Sequence, residues 1–310
     1  MTSHKNSTLI FEINEPSSIR VDKWLTEKIP HLSRHSIQNL IENGHVTING
    51  QILKKKDPII VGSKIQVILV EERPQEIIPQ KVDFDILYQD DHLIVINKPK
   101  GIVVHPGAGN HDNTLVNGLV YAIEDFQVDD GDLRPGIVHR LDKDTSGVML
   151  IAKTKEVLFK LSQSFAERRV KKTYLALTIG KPQGLHCNLA IKRHETKRQQ
   201  MSCNPAGKSA ETYFEILEES PPYFLVKASP ITGRTHQIRV HLKELKAPIY
   251  ADEIYGSGKK DFPDEKLMLH AYAIEFNHPI SEEKMQFFAP MPEQMQVILE
   301  KKLKKRFKNI

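Results

Sequence analysis

The spacing of apolar residues predicts a small unit of two helices and a hairpin near the start of the chain. Apolar residues recur at helical spacing over 21–29, and a second helical pattern begins at Ser33, a suitable N-cap. Alternating residues over 46–52, interrupted by the dipeptide Asn49-Gly50, predict a β-hairpin. A strand over 64–70 closes the unit.

Prolines separate this unit from a larger one. Residues 71–80 lack a clear period and contain Arg73-Pro74 and Ile78-Pro79, and proline disfavours both helices and central strands. Beyond them, strand patterns and helical patterns predict a mixed, mainly antiparallel sheet flanked by helices and loops. The strand patterns cover 84–88, 92–97, 148–152, 173–179, 212–216 and 223–228, and helical patterns start near Thr154 and Thr235.

These patterns predict an α+β protein with two folded domains, which agrees with a length of 310 residues. The apolar fraction of 39% is that of a globular protein with a sizeable core. We divide the chain into a polar leader over 1–17, a small N-terminal α/β module over 18–72, a linker over 73–81, a larger domain over 82–300 and a basic tail over 301–310.

The charge of the chain favours a polyanionic partner. Lys and Arg number 44 against 39 Asp and Glu, which gives a formal net charge of +5. The cations are clustered, with runs within 54–56, 168–172, 192–198 and 301–306. A solvated helix face is the alternative interpretation of any one run, and of the tail above all.

Composition also excludes several classes of protein. Cys187 and Cys203 are too few for a disulfide framework or a zinc ribbon. The N-terminus has no signal-peptide core, and no run approaches the ~18 apolar residues of a membrane span. We therefore predict a cytoplasmic protein with no membrane partner.

One segment contains the strongest candidate for chemistry. Asp142 lies among cations in the stretch 139–144, His-Arg-Leu-Asp-Lys-Asp, at a loop that leads into the apolar run 148–152. A carboxylate held beside a cation is a candidate nucleophile or base. The charge pattern alone fits a surface turn rich in ion pairs equally well.

Two further residues are candidates for the same chemistry. Tyr174 lies on a strand after a basic cluster, on the face opposite Leu175, and could stack on a nucleic-acid base. Arg239 flanks the apolar stripe of the helix that starts near Thr235 and could reach a buried anion. The structural alternatives are a tyrosine packed at the sheet edge and a surface arginine paired with Glu244.

Signals for nucleotide or metal binding are incomplete. Gly101 and the stretch 107–109 lack the rest of a phosphate-binding motif. His236 and His241 do not have zinc-protease spacing, and no cysteine pair adds ligands. We therefore predict no metal. The basic, irregular stretch over 193–208 predicts a long loop.

Three segments resemble the motifs of the RNA pseudouridine synthases, a family that includes the large-subunit enzymes of the A and D types. They are His139-Arg140-Leu141-Asp142-Lys143-Asp144-Thr145-Ser146-Gly147, Lys172-Thr173-Tyr174-Leu175-Ala176 and Gly233-Arg234-Thr235-His236-Gln237-Ile238-Arg239, in the family's order. The N-terminal unit resembles an S4-type RNA-binding module at Arg20 to Lys23, Ser33-Arg34, Ile41 to Val46 and Asn49-Gly50.

The resemblance implies that the protein isomerises uridine to pseudouridine in structured RNA, with large-subunit ribosomal RNA as the favoured target. It implies that the uridine is flipped out of its stack and that no cofactor is needed. RNA is the expected partner, and we predict a monomer. Asp142 would act as nucleophile or base, Arg239 would pair with that carboxylate, and Tyr174 would support the flipped base.

The resemblance also implies a set of binding residues. Arg140 would help to stabilise the flipped state, and the stretch 193–208 would grip RNA. The expected substrate-binding residues are His139, Arg140, Lys98, His105, Thr145, Arg193, Lys197, Arg198, Lys208, Arg234 and His236. The expected RNA contacts of the S4-like module are Arg20, Lys23, Arg34, His35 and Lys54.

Two positions depart from the family pattern, and other functions stay open. Gly62-Ser63 stands where Gly-Asp is usual, and Ala251 stands where the family commonly has Gly before Asp252, at the outer wall of the pocket. One alternative is a synthase that acts on transfer RNA or another RNA. Others are a non-catalytic RNA-binding ribosome-assembly factor and a phosphoester hydrolase with an aspartate nucleophile, although the sequence lacks the metal-binding carboxylates of such a hydrolase.

Overall fold

The chain folds into two compact units, Met1–Gln75 and Glu76–Ile310. Each unit has its own hydrophobic core. The computed structural model describes residues 7–15, 19–30, 32–54, 57, 59–69, 77–107, 110–124, 126, 132–197, 199–256, 261 and 264–305.

The first unit packs two helices against a four-stranded antiparallel sheet. Its elements are β1 (Ser7–Glu12), α1 (Val21–Lys28), α2 (Arg34–Glu42), β2 (Val46–Ile48), β3 (Gln51–Ile52) and β4 (Lys64–Leu69). The strand order is β1-β4-β2-β3. Strand β1 differs from the sequence analysis, because residues assigned there to a polar leader pair with β4 along their full length.

Local signals account for much of this unit. The Ser33 side chain accepts a hydrogen bond from the backbone N–H three residues later and so caps α2. Asn49 and Gly50 have φ angles of 49° and 82°, and a two-residue hairpin turn of type I′ requires positive φ at both positions. Leu25 and Ile37 are fully buried between the helices and the sheet.

The second unit is built on one nine-stranded mixed sheet. Its strands are β5 (Asp85–Gln89), β6 (Leu93–Lys98), β7 (Ser146–Ala152), β8 (Lys171–Ile179), β9 (His186–Cys187), β10 (Ile191–Arg193), β11 (Met201–Cys203), β12 (Thr212–Ser220), β13 (Tyr223–Pro230), β14 (Leu269–Asn277) and β15 (Lys284–Phe288). Its helices are α3 (Leu115–Ala122), α4 (Lys155–Ala166), α5 (Gln237–Glu244) and α6 (Glu293–Leu303).

The topology confirms the predicted α+β class and the mainly antiparallel sheet. The strand order is β5-β6-β7-β14-β8-β13-β12-β9, with β15 paired to β14, and the hairpin β10–β11 stands apart from this sheet. Every neighbouring pair in the sheet is antiparallel except β7 and β14, which are parallel.

The parallel strands β7 and β14 are largely buried and closely packed at the centre of the sheet. Gly147 of β7 has a φ of 121°, and a Cβ at this position would lie 2.2 Å from the carbonyl oxygen of Ala271 on β14. All seven residues of β7 are buried. The loop that precedes β7 is therefore anchored on a buried central strand.

Strand β8 is covered on both faces, which differs from the sequence analysis. The alternation placed Tyr174 on a face away from the apolar side, yet Ala176 and Thr178 on that same face are fully buried. The strand lies between β13 and β14 and contacts two hydrophobic clusters. Tyr174 is therefore packed within the sheet rather than at its edge.

Packed structure extends into both predicted flanks of the larger domain. The Asn117 side chain donates a hydrogen bond to the Ile78 carbonyl oxygen, and Gln80 donates its N–H to the Asn117 carbonyl oxygen, so this part of the predicted linker packs on α3. Helix α6 runs into the predicted basic tail, and residues 306–310 lie outside the described residues. No helix among the described residues is long and apolar enough to cross a membrane.

Candidate active site

The loop before β7 carries Asp142 to the edge of a pocket. The backbone N–H of Thr145 donates to the Asp142 carbonyl oxygen at 3.1 Å, which closes a turn. The N–H of Gly101 donates to the Lys143 carbonyl oxygen at 2.9 Å and holds the other side of the loop. These two hydrogen bonds fix the backbone from which the Asp142 side chain extends.

Lys98, which the sequence analysis placed at the substrate, lies beneath this loop instead. The residue is 0% exposed, and its ammonium donates to the carbonyl oxygens of Pro99, Ile102 and Lys143 at 2.7, 2.9 and 3.1 Å. Burial lowers the pKa of Lys98 to about 7. All three donors of the ammonium have a backbone partner, so the residue supports the loop and presents no atom to the pocket.

A guanidinium bridges two carboxylates beside the loop. Arg239, on α5, is only 6% exposed. Its Nη1 lies 3.3 Å from Asp142 Oδ2, while its Nε and Nη2 donate to the two carboxylate oxygens of Asp252 at 2.8 and 2.9 Å. The structure thus brings Arg239 and Asp142 together, as the family resemblance implies.

Asp252, which the sequence analysis did not single out as a functional residue, fixes the far side of Arg239. It is 1% exposed, and its Oδ1 also accepts the backbone N–H groups of Ile254 and Tyr255 at 2.9 and 3.0 Å. Burial alone would raise the pKa of this carboxyl, but the hydrogen bonds and the charge of Arg239 outweigh burial, and the pKa lies below its ordinary value. The pair is therefore a buried, bidentate ion pair.

The departure from the family pattern at Ala251 leaves this pair intact. Ala251 has a φ of 56°, in the left-handed region that glycine adopts without a steric penalty. A residue with a Cβ pays roughly 1–2 kcal/mol for this conformation. The left-handed turn nevertheless aims Asp252 at Arg239, so the ion pair forms with alanine at this position.

His236 adds a third polar group beside Asp142. It has a φ of 56° and serves as the N-cap of α5, so the helix begins at Gln237 rather than near Thr235. Its Nε2 lies 3.8 Å from Asp142 Oδ2, and its Nδ1 lies 2.7 Å from the Tyr255 hydroxyl oxygen. Burial lowers the pKa of His236 below its ordinary value, so the ring is neutral at pH 7.

These groups line a pocket of about 430 Å³, a size that accommodates a nucleobase and its ribose. Asp142, Tyr174 and Arg239 all lie in its wall. The predicted substrate-binding residues in the same wall are His139, Arg140, Thr145, Arg234 and His236, and the apolar lining includes Val138, Leu141, Phe165, Ile231 and Leu269.

Tyr174 is a neutral phenol in this pocket. Burial, together with the charge of Asp142, raises the pKa of its hydroxyl well above the ordinary value of 10. Nearby, the Lys172 ammonium lies 5.9 Å from the centroid of the Phe165 ring, and burial lowers the pKa of Lys172 to about 8. The pocket thus combines an aromatic hydroxyl, a cation and an aromatic face.

Two histidines support the loop and the neighbouring arginine. His139 Nε2 accepts the backbone N–H of Leu150 at 2.9 Å, its ring stacks on Phe165, and burial lowers its pKa to about 3, so it is a neutral anchor between the loop and β7. His105 Nε2 lies 3.4 Å from Nη1 of Arg140. Arg140 itself is exposed at the pocket.

A second, basic cavity of about 490 Å³ adjoins the pocket, because Arg234 lines both. Arg193, on β10, and Lys208 also line this cavity. The Arg234 Nε donates to the Ser209 carbonyl oxygen at 2.9 Å, which holds its guanidinium at the junction. Lys197 is exposed in the β10–β11 loop, and Arg198 lies outside the described residues.

The first unit displays its predicted RNA-binding arginines around one buried carboxylate. Asp22 is 0% exposed and accepts hydrogen bonds from Arg20 and Arg34, with closest distances of 3.0 Å to each, and from Gln38 at 2.7 Å. Sequence reasoning missed Asp22, although it lies within the segment Arg20 to Lys23 that resembles the S4 module. Lys23 and Lys54 are exposed, and the His35 side chain lies outside the described part of the chain.

Metal ligands are not grouped in the part of the chain that the structure describes. Within those ranges, no group of three or more His, Cys, Asp or Glu side chains is arranged to hold a metal ion. Asp142 in the pocket wall and the buried Asp252 are instead bridged by Arg239. The site is thus a carboxylate–guanidinium site.

Comparison with known proteins identifies the class to which this fold and site belong. The family model described as RNA pseudouridylate synthase matches residues 92–244, and the S4 domain model matches residues 19–63. These regions lie in the second and the first unit, respectively. The architecture is that of an RNA-modifying synthase with an N-terminal S4 domain.

Relatives along nearly the whole chain agree. An uncharacterized RNA pseudouridine synthase from Synechocystis sp. is 40% identical over 91% of this chain and 88% of its own length. A ribosomal large subunit pseudouridine synthase D from Xylella fastidiosa is 37% identical over 89% of this chain and 86% of its own length. The chain belongs to the RNA pseudouridine synthase family, and it is an RNA-modifying enzyme with an RNA substrate.

A solved structure supports the same assignment. The human RNA pseudouridylate synthase domain containing 1 is 31% identical, has a TM-score of 0.55 and covers 68% of this chain and 84% of its own. The family assignment therefore favours an enzyme over the non-catalytic assembly factor and the hydrolase considered from sequence.

Proposed function

We propose that this enzyme isomerises specific uridines in large-subunit ribosomal RNA, with Asp142 as the nucleophile or base of the reaction. The observation that carries the proposal is the contact of Asp142 Oδ2 with the buried Arg239 guanidinium at 3.3 Å, in a pocket of nucleoside size. A preorganised cation beside a reacting carboxylate is a common catalytic arrangement, because it needs no rearrangement as charge develops.

The reaction breaks the bond between N1 of uracil and C1′ of ribose and joins C5 of the same uracil to C1′. C5 loses a proton and N1 gains one, so the product is an isomer and no redox partner is required. Asp142 faces the pocket, where the ribose and the base would lie. In this proposal Arg239 holds the carboxylate, and Tyr174 supports the ring while it turns.

A stacked uridine must leave its helix to enter the pocket, which costs a few kcal/mol. Tyr174 and Phe165 offer aromatic faces, and stacking on such faces contributes ~1–3 kcal/mol per base. Arg140 is exposed beside the pocket, where it can occupy the place that the flipped base leaves in the RNA. Arg193, Lys197 and Lys208 would contact the phosphate backbone.

The names of relatives favour ribosomal RNA as the target, and two further features support a structured RNA in general. Several relatives across nearly the whole chain are named ribosomal large subunit pseudouridine synthase D. The S4 domain adds a second RNA-binding unit, with Arg20 and Arg34 held at its surface by Asp22. The net charge of +5 suits a folded, polyanionic RNA. We also propose that the enzyme acts as a monomer in the cytoplasm.

Carbodiimide treatment followed by primer extension tests this function. Unmodified large-subunit ribosomal RNA is incubated with the wild-type enzyme or with Asp142→Asn, without added metal. New stops with the wild type alone support the proposed target and name the uridines. Stops on transfer RNA but not on ribosomal RNA would overturn the target while keeping the activity.

A further inference from the structure

A chain of contacts joins the β10–β11 hairpin to Asp142. The backbone N–H of Met201, on β11, donates to the Tyr255 hydroxyl oxygen at 2.7 Å. The same hydroxyl lies 2.7 Å from His236 Nδ1, and His236 Nε2 lies 3.8 Å from Asp142 Oδ2. Three successive contacts thus connect strand β11 of this hairpin with the Asp142 carboxylate.

The direction of these hydrogen bonds determines where His236 carries its proton. A tyrosine hydroxyl has a single proton. Because the Tyr255 oxygen accepts the N–H of Met201, its own proton is available for donation. Among the described residues, the acceptor within reach of this proton is His236 Nδ1. An imidazole that accepts at Nδ1 carries its proton at Nε2, and here Nε2 faces Asp142.

We propose that Tyr255 is a positioning residue for the isomerisation. Its hydroxyl holds His236 as the Nε2–H tautomer, and this tautomer directs a hydrogen-bond donor at Asp142. The inference rests on the proposed role of Asp142. The distance of 3.8 Å is longer than a hydrogen bond, and catalytic contacts of this kind often shorten when substrate is bound.

The surroundings of Tyr255 suit this role. The residue is 4% exposed, and its ring lies 5.0 Å from the Arg239 guanidinium, while its backbone N–H donates to Asp252. The Gln200 side chain donates to the Ile254 carbonyl oxygen at 3.0 Å, which ties the hairpin to the same turn. RNA bound to the hairpin would therefore rest on the turn that also orients Arg239 and His236.

The matched substitutions are Tyr255→Phe and Tyr250→Phe. The first removes the hydroxyl and keeps the ring beside Arg239. Tyr250 is an equivalent buried tyrosine, 1% exposed, whose hydroxyl accepts the N–H of Asp261 at 3.0 Å and donates to Glu265 at 2.6 Å. Each variant loses one hydrogen bond accepted from a backbone N–H and one donated to a side chain. Of the two tyrosines, only Tyr255 contacts His236.

Nitrogen-15 NMR of the full-length protein labelled at histidine tests the tautomer directly. His236→Gln assigns the His236 signals by their loss. We expect a protonated Nε2 and an unprotonated Nδ1 at His236 in the wild type and in Tyr250→Phe, and a shifted Nδ1 resonance in Tyr255→Phe. A proton on Nδ1 in the wild type would overturn the proposal, whatever the variants do.

Single-turnover kinetics on the modified RNA test the consequence. We expect Tyr255→Phe to slow the reaction about tenfold, the rate equivalent of one hydrogen bond of ~1.4 kcal/mol, with RNA affinity and the rate of Tyr250→Phe unchanged within about twofold. Equal rates for the two variants, or a loss confined to RNA affinity, would refute the role. Activity retained by Asp142→Asn would instead refute the proposed function, and the NMR result would still stand.

Discussion

Replacing Asp252 by asparagine tests the pair that holds Arg239. The change keeps the shape and one acceptor oxygen, but it removes the charge and turns the second oxygen into a donor that faces a guanidinium. Breaking a buried ion pair costs ~3–5 kcal/mol. We expect about 3 kcal/mol, the lower end of that range, because Asp142 still lies 3.3 Å from the guanidinium.

The loss should appear in both stability and activity. For a domain of about 200 residues, ~3 kcal/mol lowers the melting temperature by about 6–12 °C. Arg239 would lose its bidentate contact with Asp252, so Asp142 would lose a partner with a fixed orientation. We therefore expect a single-turnover rate at least about tenfold below that of the wild type.

The stability difference should depend on pH in one direction. Burial alone would raise the pKa of Asp252, but Arg239 and two backbone N–H groups outweigh it and hold the pKa below the ordinary value of 3.8. A carboxyl with a depressed folded pKa stabilises the protein above its unfolded pKa, and this stability is lost as the pH falls through the folded value. The difference in the free energy of unfolding between the wild type and Asp252→Asn should have its full value at pH 7 and should decrease only below about pH 4.

Thermal unfolding at several pH values, with Glu215→Gln as a control, measures these effects. Glu215 pairs with Lys227 at 2.9 Å on the surface, where its side chain is 60% exposed. Such a pair contributes at most about 1 kcal/mol. If Asp252→Asn has the same melting temperature as Glu215→Gln and modifies RNA at the wild-type rate, Asp252 does not hold Arg239 and the reasoning fails.

Two more substitutions test the supporting groups. Lys98→Met should destabilise the second unit. In denaturant unfolding, the free energy of unfolding of the wild type should exceed that of the variant by an amount that grows from pH 7 to about pH 10. The reason is that burial lowers the pKa of Lys98 to about 7, against 10.5 in the unfolded chain. A constant difference over that range would contradict this account. Arg34→Ala should weaken RNA binding and reduce the slope of log affinity against log salt by about 1, since the ion pair with Asp22 holds the half-exposed Arg34 side chain at the surface. An unchanged slope in filter binding would show that Arg34 makes no phosphate contact.

Features encoded by neighbouring residues could be predicted from the sequence. The Ser33 cap and the Asn49-Gly50 turn depend on residues within one turn of the chain, and both are present. Asp142 and Arg239 are 97 positions apart, so no local pattern pairs them. Their pairing was expected only because both lie in motifs that resemble those of one family.

The missed features depend on contacts between distant segments. Strand β1 pairs with β4, so that Ser7 lies opposite Leu69, and its short apolar run over 9–11 becomes recognisable as a strand only through that distant partner. Asp252 reaches Arg239 on α5 only because a left-handed turn at Ala251 aims its side chain there. Lys98 was expected to bind substrate because of the family resemblance, yet it is buried, and its ammonium donates to three carbonyl oxygens supplied by two loops.

The most direct test of the central claim is tritium release from RNA labelled at C5 of uridine. Forming the bond between C5 and C1′ displaces the C5 hydrogen, so release counts isomerisation events. Asp144, two residues along the same loop, provides the matched control. We predict that Asp142→Asn binds the RNA with wild-type affinity and releases no tritium above background, while Asp144→Asn keeps the wild-type rate. Tritium release by Asp142→Asn at a rate near that of Asp144→Asn would contradict the account.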